Sequence, residues 1–286
     1  MVLLVLAQAL VVAACGDERR PGTPTAPTVV PPIIVGELIK GNVYDTADRP
    51  LAGARVEVLD GPQANTSALT DGAGEFSLRG IFDETTRFRA AKDGHESATG
   101  TLRFCAACNP QRRITFFLGV LAPPVNIAGN YALTYTAAST CSQLPDDMRT
   151  RTYAATIEPM AIEGRPSNTL FKVITTGALF VPRLAYDNFH IGVAGDYLSL
   201  SIGDLHGRPG LVEQVLPTTY VALGGEAAGP VESNVSTISL PFDGFIDYCV
   251  TESAMVQYPY ECSAPNAVVA HARCESKDHR ITMTRR

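Results

Sequence analysis

The order of apolar and polar positions divides the chain into three regimes. From Met1 to Ala14 the run MVLLVLAQALVVAA is apolar apart from Gln8. It is shorter than the roughly 20 residues a bilayer-spanning helix needs, which suits the core of a signal peptide over 1–14. Asp17 to Pro32 turns polar and Pro-rich, DERRPGTPTAPTVVPP. Prolines and small polar residues favour an extended chain, so residues 15–33 read as a tether. Beyond Val35, short segments of alternating polarity are bounded by Gly, Pro and Asp, and no helical period persists.

The alternation predicts strands over Glu37–Thr46, Ala54–Asp60, Ser67–Thr70, Glu75–Arg79, Thr86–Ala91, Ser97–Phe104 and Arg112–Leu118. Val43, Val56, Val58, Phe76, Leu78, Phe88, Ile114 and Phe116 fall on the inward positions. Pro123-Pro124 marks a boundary. Further strands are expected over Gly129–Thr136, Thr150–Glu158, Thr169–Thr175, Asn188–Val193, Tyr197–Ile202, Thr219–Gly224, Thr237–Cys249 and Arg280–Arg285. The expected fold is all-β, with a seven-stranded antiparallel sandwich over 34–119 and a second β domain over 127–286. The second is either a barrel or another sandwich.

Composition narrows the function classes. Of 286 residues, 23 are basic and 29 acidic, a formal net charge of −6. A 45% hydrophobic share is too high for a disordered chain, and the acidic balance excludes a general nucleic-acid binder. Trp is absent. The pair Arg149 and Arg151 follows from alternation within a strand and is too small to imply nucleic acid.

Three sets of residues carry family resemblances. Val12-Ala13-Ala14-Cys15 resembles the lipobox of bacterial lipoproteins. The resemblance implies cleavage before Cys15, diacylglycerol on its thiol, and membrane lipid as a partner. Gly16 rather than Asp after the Cys favours the outer membrane. Gly41-Asn42-Val43-Tyr44-Asp45, Pro50-Leu51-Ala52-Gly53-Ala54, Thr70-Asp71-Gly72-Ala73-Gly74-Glu75-Phe76 and Lys92-Asp93-Gly94-His95 together resemble carboxypeptidase regulatory-like domains. That family implies a transthyretin-like sandwich that is not itself catalytic and is grouped with carbohydrate-binding-like folds. Gly129, Tyr131 and Arg280 faintly resemble the first-strand and distal-Arg pattern of lipocalins, without the Trp.

Seven Cys less Cys15 leave six, which should pair outside the cytoplasm. Proximity suggests Cys105–Cys108, and a redox role there is disfavoured because no helix follows to lower a thiol pKa. The other four allow three connectivities. Cys141–Cys274 with Cys249–Cys262 is favoured, the first tying the exit of one strand to the entry of the last.

No G-x-S-x-G, H-E-x-x-H or phosphate-binding loop occurs. Cys262, His271, Cys274 and His279 have an unusual zinc spacing, and disulfides are favoured over a metal. Asp146-Asp147 and Asp243 with Asp247 read as solvated acidic pairs. Tyr248, Tyr258 and Tyr260 surround the Cys249–Cys262 loop and are candidate binding residues, with packing over a barrel mouth as the alternative. The expected function is a non-catalytic, lipid-anchored envelope protein that binds carbohydrate or a partner envelope protein. No cofactor is expected. The alternative is a small-ligand carrier with an apolar pocket in the C-terminal barrel.

Overall fold

The computed structural model describes residues 38–102, 113–181, 189–203, 209–232, 235–255, 262 and 268–286. The signal segment, Cys15, the tether, Cys105, Cys108, Tyr258 and Tyr260 lie outside the described residues. The described chain is all-β. It falls within one compact unit over Ile33–Arg286.

The first half is a sandwich of two sheets. One holds β1 (Leu38–Asp45), β4 (Glu75–Arg79) and β7 (Arg113–Leu118) in the order β4-β1-β7. The other holds β2 (Arg55–Val58), β3 (Ser67–Leu69), β5 (Arg87–Ala91) and β6 (Ala98–Thr101) in the order β3-β2-β5-β6. Alternation sets which side chains enter: in β4 only Phe76 and Leu78 are buried. They join Val43, Val56, Val58, Phe88, Ile114 and Phe116 in one core. One pairing departs from the antiparallel expectation, because β1 and β7 run parallel with Lys40 opposite Arg113. Parallel neighbours need a crossover, which the chain makes by passing through β5 and β6 of the other sheet.

The turn before β4 shows local sequence chemistry at work. Asp71 Oδ1 accepts hydrogen bonds from the Ala73 and Glu75 amides, each at 2.9 Å. Gly74 closes the turn at φ +71, and a Cβ there would stand 2.6 Å from the Val43 carbonyl oxygen. Only Gly tolerates both conditions.

The second half is a closed eight-stranded barrel, not a second sandwich. Its strands are β8 (Gly129–Thr136), β9 (Thr150–Pro159), β10 (Leu170–Thr176), β11 (Phe189–Ala194), β12 (Tyr197–Ile202), β14 (Thr219–Pro230), β15 (Thr237–Thr251) and β16 (Val268–Arg285). They pair in that order, with β16 returning to β8. The additional strand β13 (Leu211–Leu216) was not expected from the sequence, and β16 begins twelve residues before the expected Arg280. β14 serves two neighbours. Its first half pairs with β13 and its second half, from Gly225, pairs with β12. Gly225 has φ +143, and a Cβ there would collide with the Asp243 carbonyl, so this residue permits the change of partner.

The barrel interior is packed with Tyr131, Leu133, Tyr135, Ile157, Phe171, Leu200, Phe242 and Met283, among others. An eight-stranded barrel is just wide enough for side chains to fill it. Residues 137–149 lie over one end and add Ala138, Cys141, Leu144 and Met148 to that core. A smaller cluster, with Val181, Val212, Tyr220 and Cys249, packs outside the wall under β13 to β15.

Sandwich and barrel meet through the turn after β1. Asp45 Oδ1 accepts from the amides of Ala47 and Arg49, which shapes the turn. Thr46 Oγ1 then donates to the Val193 carbonyl on β11 at 2.6 Å. Asp48 pairs with Arg165 and accepts from Ser199 Oγ at 3.3 Å. The Arg49 guanidinium lies 4.1 Å from the Tyr197 ring centroid, and that of Arg165 lies 3.9 Å from Phe117.

Candidate functional site

On the side of β10 the ladder with β11 is short among the described residues. The β10–β11 ladder runs through Leu170↔Gly192 and Phe171↔Ile191 and ends at Lys172↔His190. Past β10 the chain bends at Gly177 and crosses to β13, where the Val181 amide donates to the Val212 carbonyl at 3.0 Å. The Gln214 amide donates to the Leu179 carbonyl at 2.8 Å on the same crossing. Between the end of β10 and β13 lies a cavity of about 640 Å³. Its inner lining is Val173, Phe189 and Leu211, all part of the barrel core. Phe180, Val181 and Val212 form the opposite wall, and Met160, Ile174 and Lys172 stand at the rim. Lys172 is also half-exposed, with its Nζ 3.0 Å from Glu158 Oε2 on the neighbouring strand.

Beside the cavity sits a buried charge network. Glu213, on β13, is 5% exposed. Arg151 grips its carboxylate with two nitrogens, Nε donating at 2.8 Å and Nη2 to the other oxygen. The Tyr153 hydroxyl donates to Glu213 Oε2 at 3.0 Å. The hydrogen bond that Arg151 donates to Glu213 holds the Arg151 pKa above its ordinary value, against the effect of burial. Burial, together with the Glu213 carboxylate, pushes the Tyr153 phenol up, so Tyr153 keeps its proton and acts as a donor. Phe180 separates this network from the cavity: its ring packs 5.5 Å from Tyr153, and its backbone bridges to Glu213. The network satisfies its own charges and leaves no group poised for proton transfer.

Sequence reading missed this network. Alternation placed Arg151 on a strand but gave it no partner. Arg151 shares its face with Tyr153, Ala155 and Ile157, and Glu213 stands in the apolar run Leu211-Val212-Glu213. Those two patterns were the available signals.

The other expected site residues are dispersed. Cys141 is bonded to Cys274 and Cys249 to Cys262, each with Cα atoms 5.7 Å apart. Tyr248 is half-buried and packs against the barrel core. The zinc quartet is not assembled: both of its Cys are in separate disulfides and His271 Nε2 lies 2.5 Å from Asp247 Oδ1. Cys141, Cys274 and His279 do converge within 4.8 Å. They do not suit a metal, because the sulfurs are bonded to each other and His279 Nδ1 accepts the Ala138 amide at 3.0 Å. Asp146 is exposed and pairs with Arg149 at 3.2 Å. Asp243 is exposed beside Lys277 at 3.5 Å, whereas Asp247 is buried, so these two carboxylates do not act together.

Residues 38–115 match the family model of the carboxypeptidase regulatory-like domain, a β-sandwich module that is not itself catalytic. The match covers the sandwich and leaves the barrel outside it. No curated protein matches the chain. Among solved structures the chain is similar to a protein of unknown function from Bacteroides fragilis NCTC 9343, at 9% identity and a TM-score of 0.22. That similarity covers 87% of this chain and 98% of the other.

Proposed function

We propose that the chain is a lipid-anchored, non-catalytic protein of the cell envelope whose barrel binds a small ligand in an apolar pocket. The observation that carries this reading is the cavity in the barrel wall, which continues the apolar core to the outside between β10 and β13. Ligand pockets are mostly apolar, of roughly 300–1,000 Å³, and often lie at the mouths or margins of barrels. The sandwich is the platform that holds the barrel. Two disulfides among the described residues fit an oxidising, extracytoplasmic compartment. No helix among the described residues is long and apolar enough to cross a membrane. The apolar start ending at Cys15 supports attachment through lipid, with the outer membrane favoured. Two or three acyl chains, at about 0.8 kcal/mol per buried methylene, make a stable anchor.

Recognition of envelope polysaccharide or a partner protein through the tyrosines is the second reading. It loses one of its three residues, since Tyr248 packs on the barrel core.

Two measurements test the proposal. Native mass spectrometry of the chain purified from its own envelope should release a bound small molecule. Labelling with a clickable fatty acid should mark the wild type and not Cys15→Ser. Retention on cell-wall glycan with no small molecule recovered would replace the ligand reading by the second one, and equal labelling of both chains would remove the anchor.

A further inference from the structure

We propose that the cavity takes a single-chain amphiphile with a zwitterionic head group, of the lysophospholipid type; this rests on reading the cavity as the binding place. Val173, Phe189 and Leu211 on the core side and Phe180 on the other offer an acyl chain apolar contact, with the Thr175 hydroxyl and the Lys172 ammonium as the polar side-chain groups of the lining. At about 30 Å³ for a water-sized group, 640 Å³ holds on the order of twenty such groups, which suits one acyl chain and not two.

The rim selects the head group. Lys172 lines the cavity and stands opposite Glu158 in the β9–β10 register, with the charged atoms 3.0 Å apart. A simple fatty-acid carboxylate would gain Lys172 and meet Glu158. A simple alkylammonium would gain Glu158 and meet Lys172. A zwitterion places its phosphate on Lys172 and its ammonium on Glu158, so both charges are answered. The two side chains are 48% and 46% exposed. Such a surface pair is held weakly and opens for a ligand without stranding a charge in the interior.

The test uses the full chain carrying Cys15→Ser, so that no anchor lipid confounds the readout. It is titrated below the critical micelle concentration with lysophosphatidylcholine, a fatty acid and an alkyltrimethylammonium of equal chain length, and binding is read by native mass spectrometry. Lysophosphatidylcholine should bind one to one and at least tenfold tighter than either singly charged amphiphile. Glu158→Lys should shift preference to the fatty acid by at least tenfold, and Lys172→Glu should shift it to the ammonium. Val173→Trp and Leu211→Trp, which fill the cavity, should each abolish binding of all three. Equal affinity for the three amphiphiles would overturn the head-group assignment and leave the cavity as a binding place. No binding of any, or binding unchanged by both Val173→Trp and Leu211→Trp, would overturn the cavity reading as well.

Discussion

Arg151 and Glu213 show how a charge survives inside an otherwise apolar wall. A buried carboxylate is costly unless a cation and hydrogen bonds answer it, and Arg151 with Tyr153 supplies both. Removing one partner leaves the other stranded, so Arg151→Leu or Glu213→Leu should each cost about 3–5 kcal/mol. The double replacement should cost much less than the two together, and a denaturation double-mutant cycle measures the difference. Additive losses would mean the pair is not coupled. His279 makes a second prediction. It is 1% exposed, and burial holds its imidazole below the ordinary value of 6.5. The unfolded chain therefore takes up a proton near pH 6.5 while the folded chain resists it. Stability is full above that value and is lost as pH falls toward the lower native one. Burial lowers the His190 pKa as well, which adds to the same trend. The melting temperature should drop between pH 7.5 and 5, and the slope should be shallower in His279→Gln. A flat profile in the wild type would contradict the assignment.

At the level of elements, the segment over 137–149 has no regular pairing of its own beyond a single turn of 3-10 helix at Asp146–Met148. It is held over the barrel end by three ties. These are the Cys141–Cys274 bond, the Ala138 amide on His279, and Gln143 Nε2 donating to the Arg273 carbonyl at 3.0 Å. The disulfide spans 133 residues. A link across so long a loop is worth about 2–5 kcal/mol, chiefly by restricting the unfolded chain. Cys141→Ser with Cys274→Ser should lower stability by that amount. Hydrogen exchange should rise first in 137–149, while the β8–β9 ladder stays protected. Uniform loss of protection across the barrel would show that the bond supports the whole wall.

For the whole molecule, the contacts of Thr46, Asp48 and Arg49 tie the sandwich to the barrel within one compact unit. Asp48 pairs with Arg165, whose side chain is 8% exposed, so the bridge is protected on one side. Asp48→Ala should cost about 1–3 kcal/mol by leaving that guanidinium underpaired. It should also make the connection over 119–127 more sensitive to limited proteolysis. Unchanged cleavage and a single unaltered melting transition would show that the junction does not depend on this bridge.

By itself the sequence determined the fold class and most strand positions, because alternation of polarity and Gly, Pro or Asp turns are local properties. Val43, Phe76, Phe88 and Phe116 were legible as core on that ground. Cysteine parity narrowed the pairing of Cys141, Cys249, Cys262 and Cys274, since four thiols admit few connectivities. A barrel was one of the two folds that the run of eight strands admitted, but the pairings that close it were not legible. Closure depends on β14 leaving β13 for β12 at Gly225, and on β16 returning to β8, neither of which leaves a local mark. Nor was the Arg151–Glu213 pair, whose members are 62 residues apart. The cavity brings together Val173, Phe189 and Leu211, which come from three separate strands. Only tertiary structure decides which strands meet and where they part, because pairing is settled by contacts between segments that are remote along the chain.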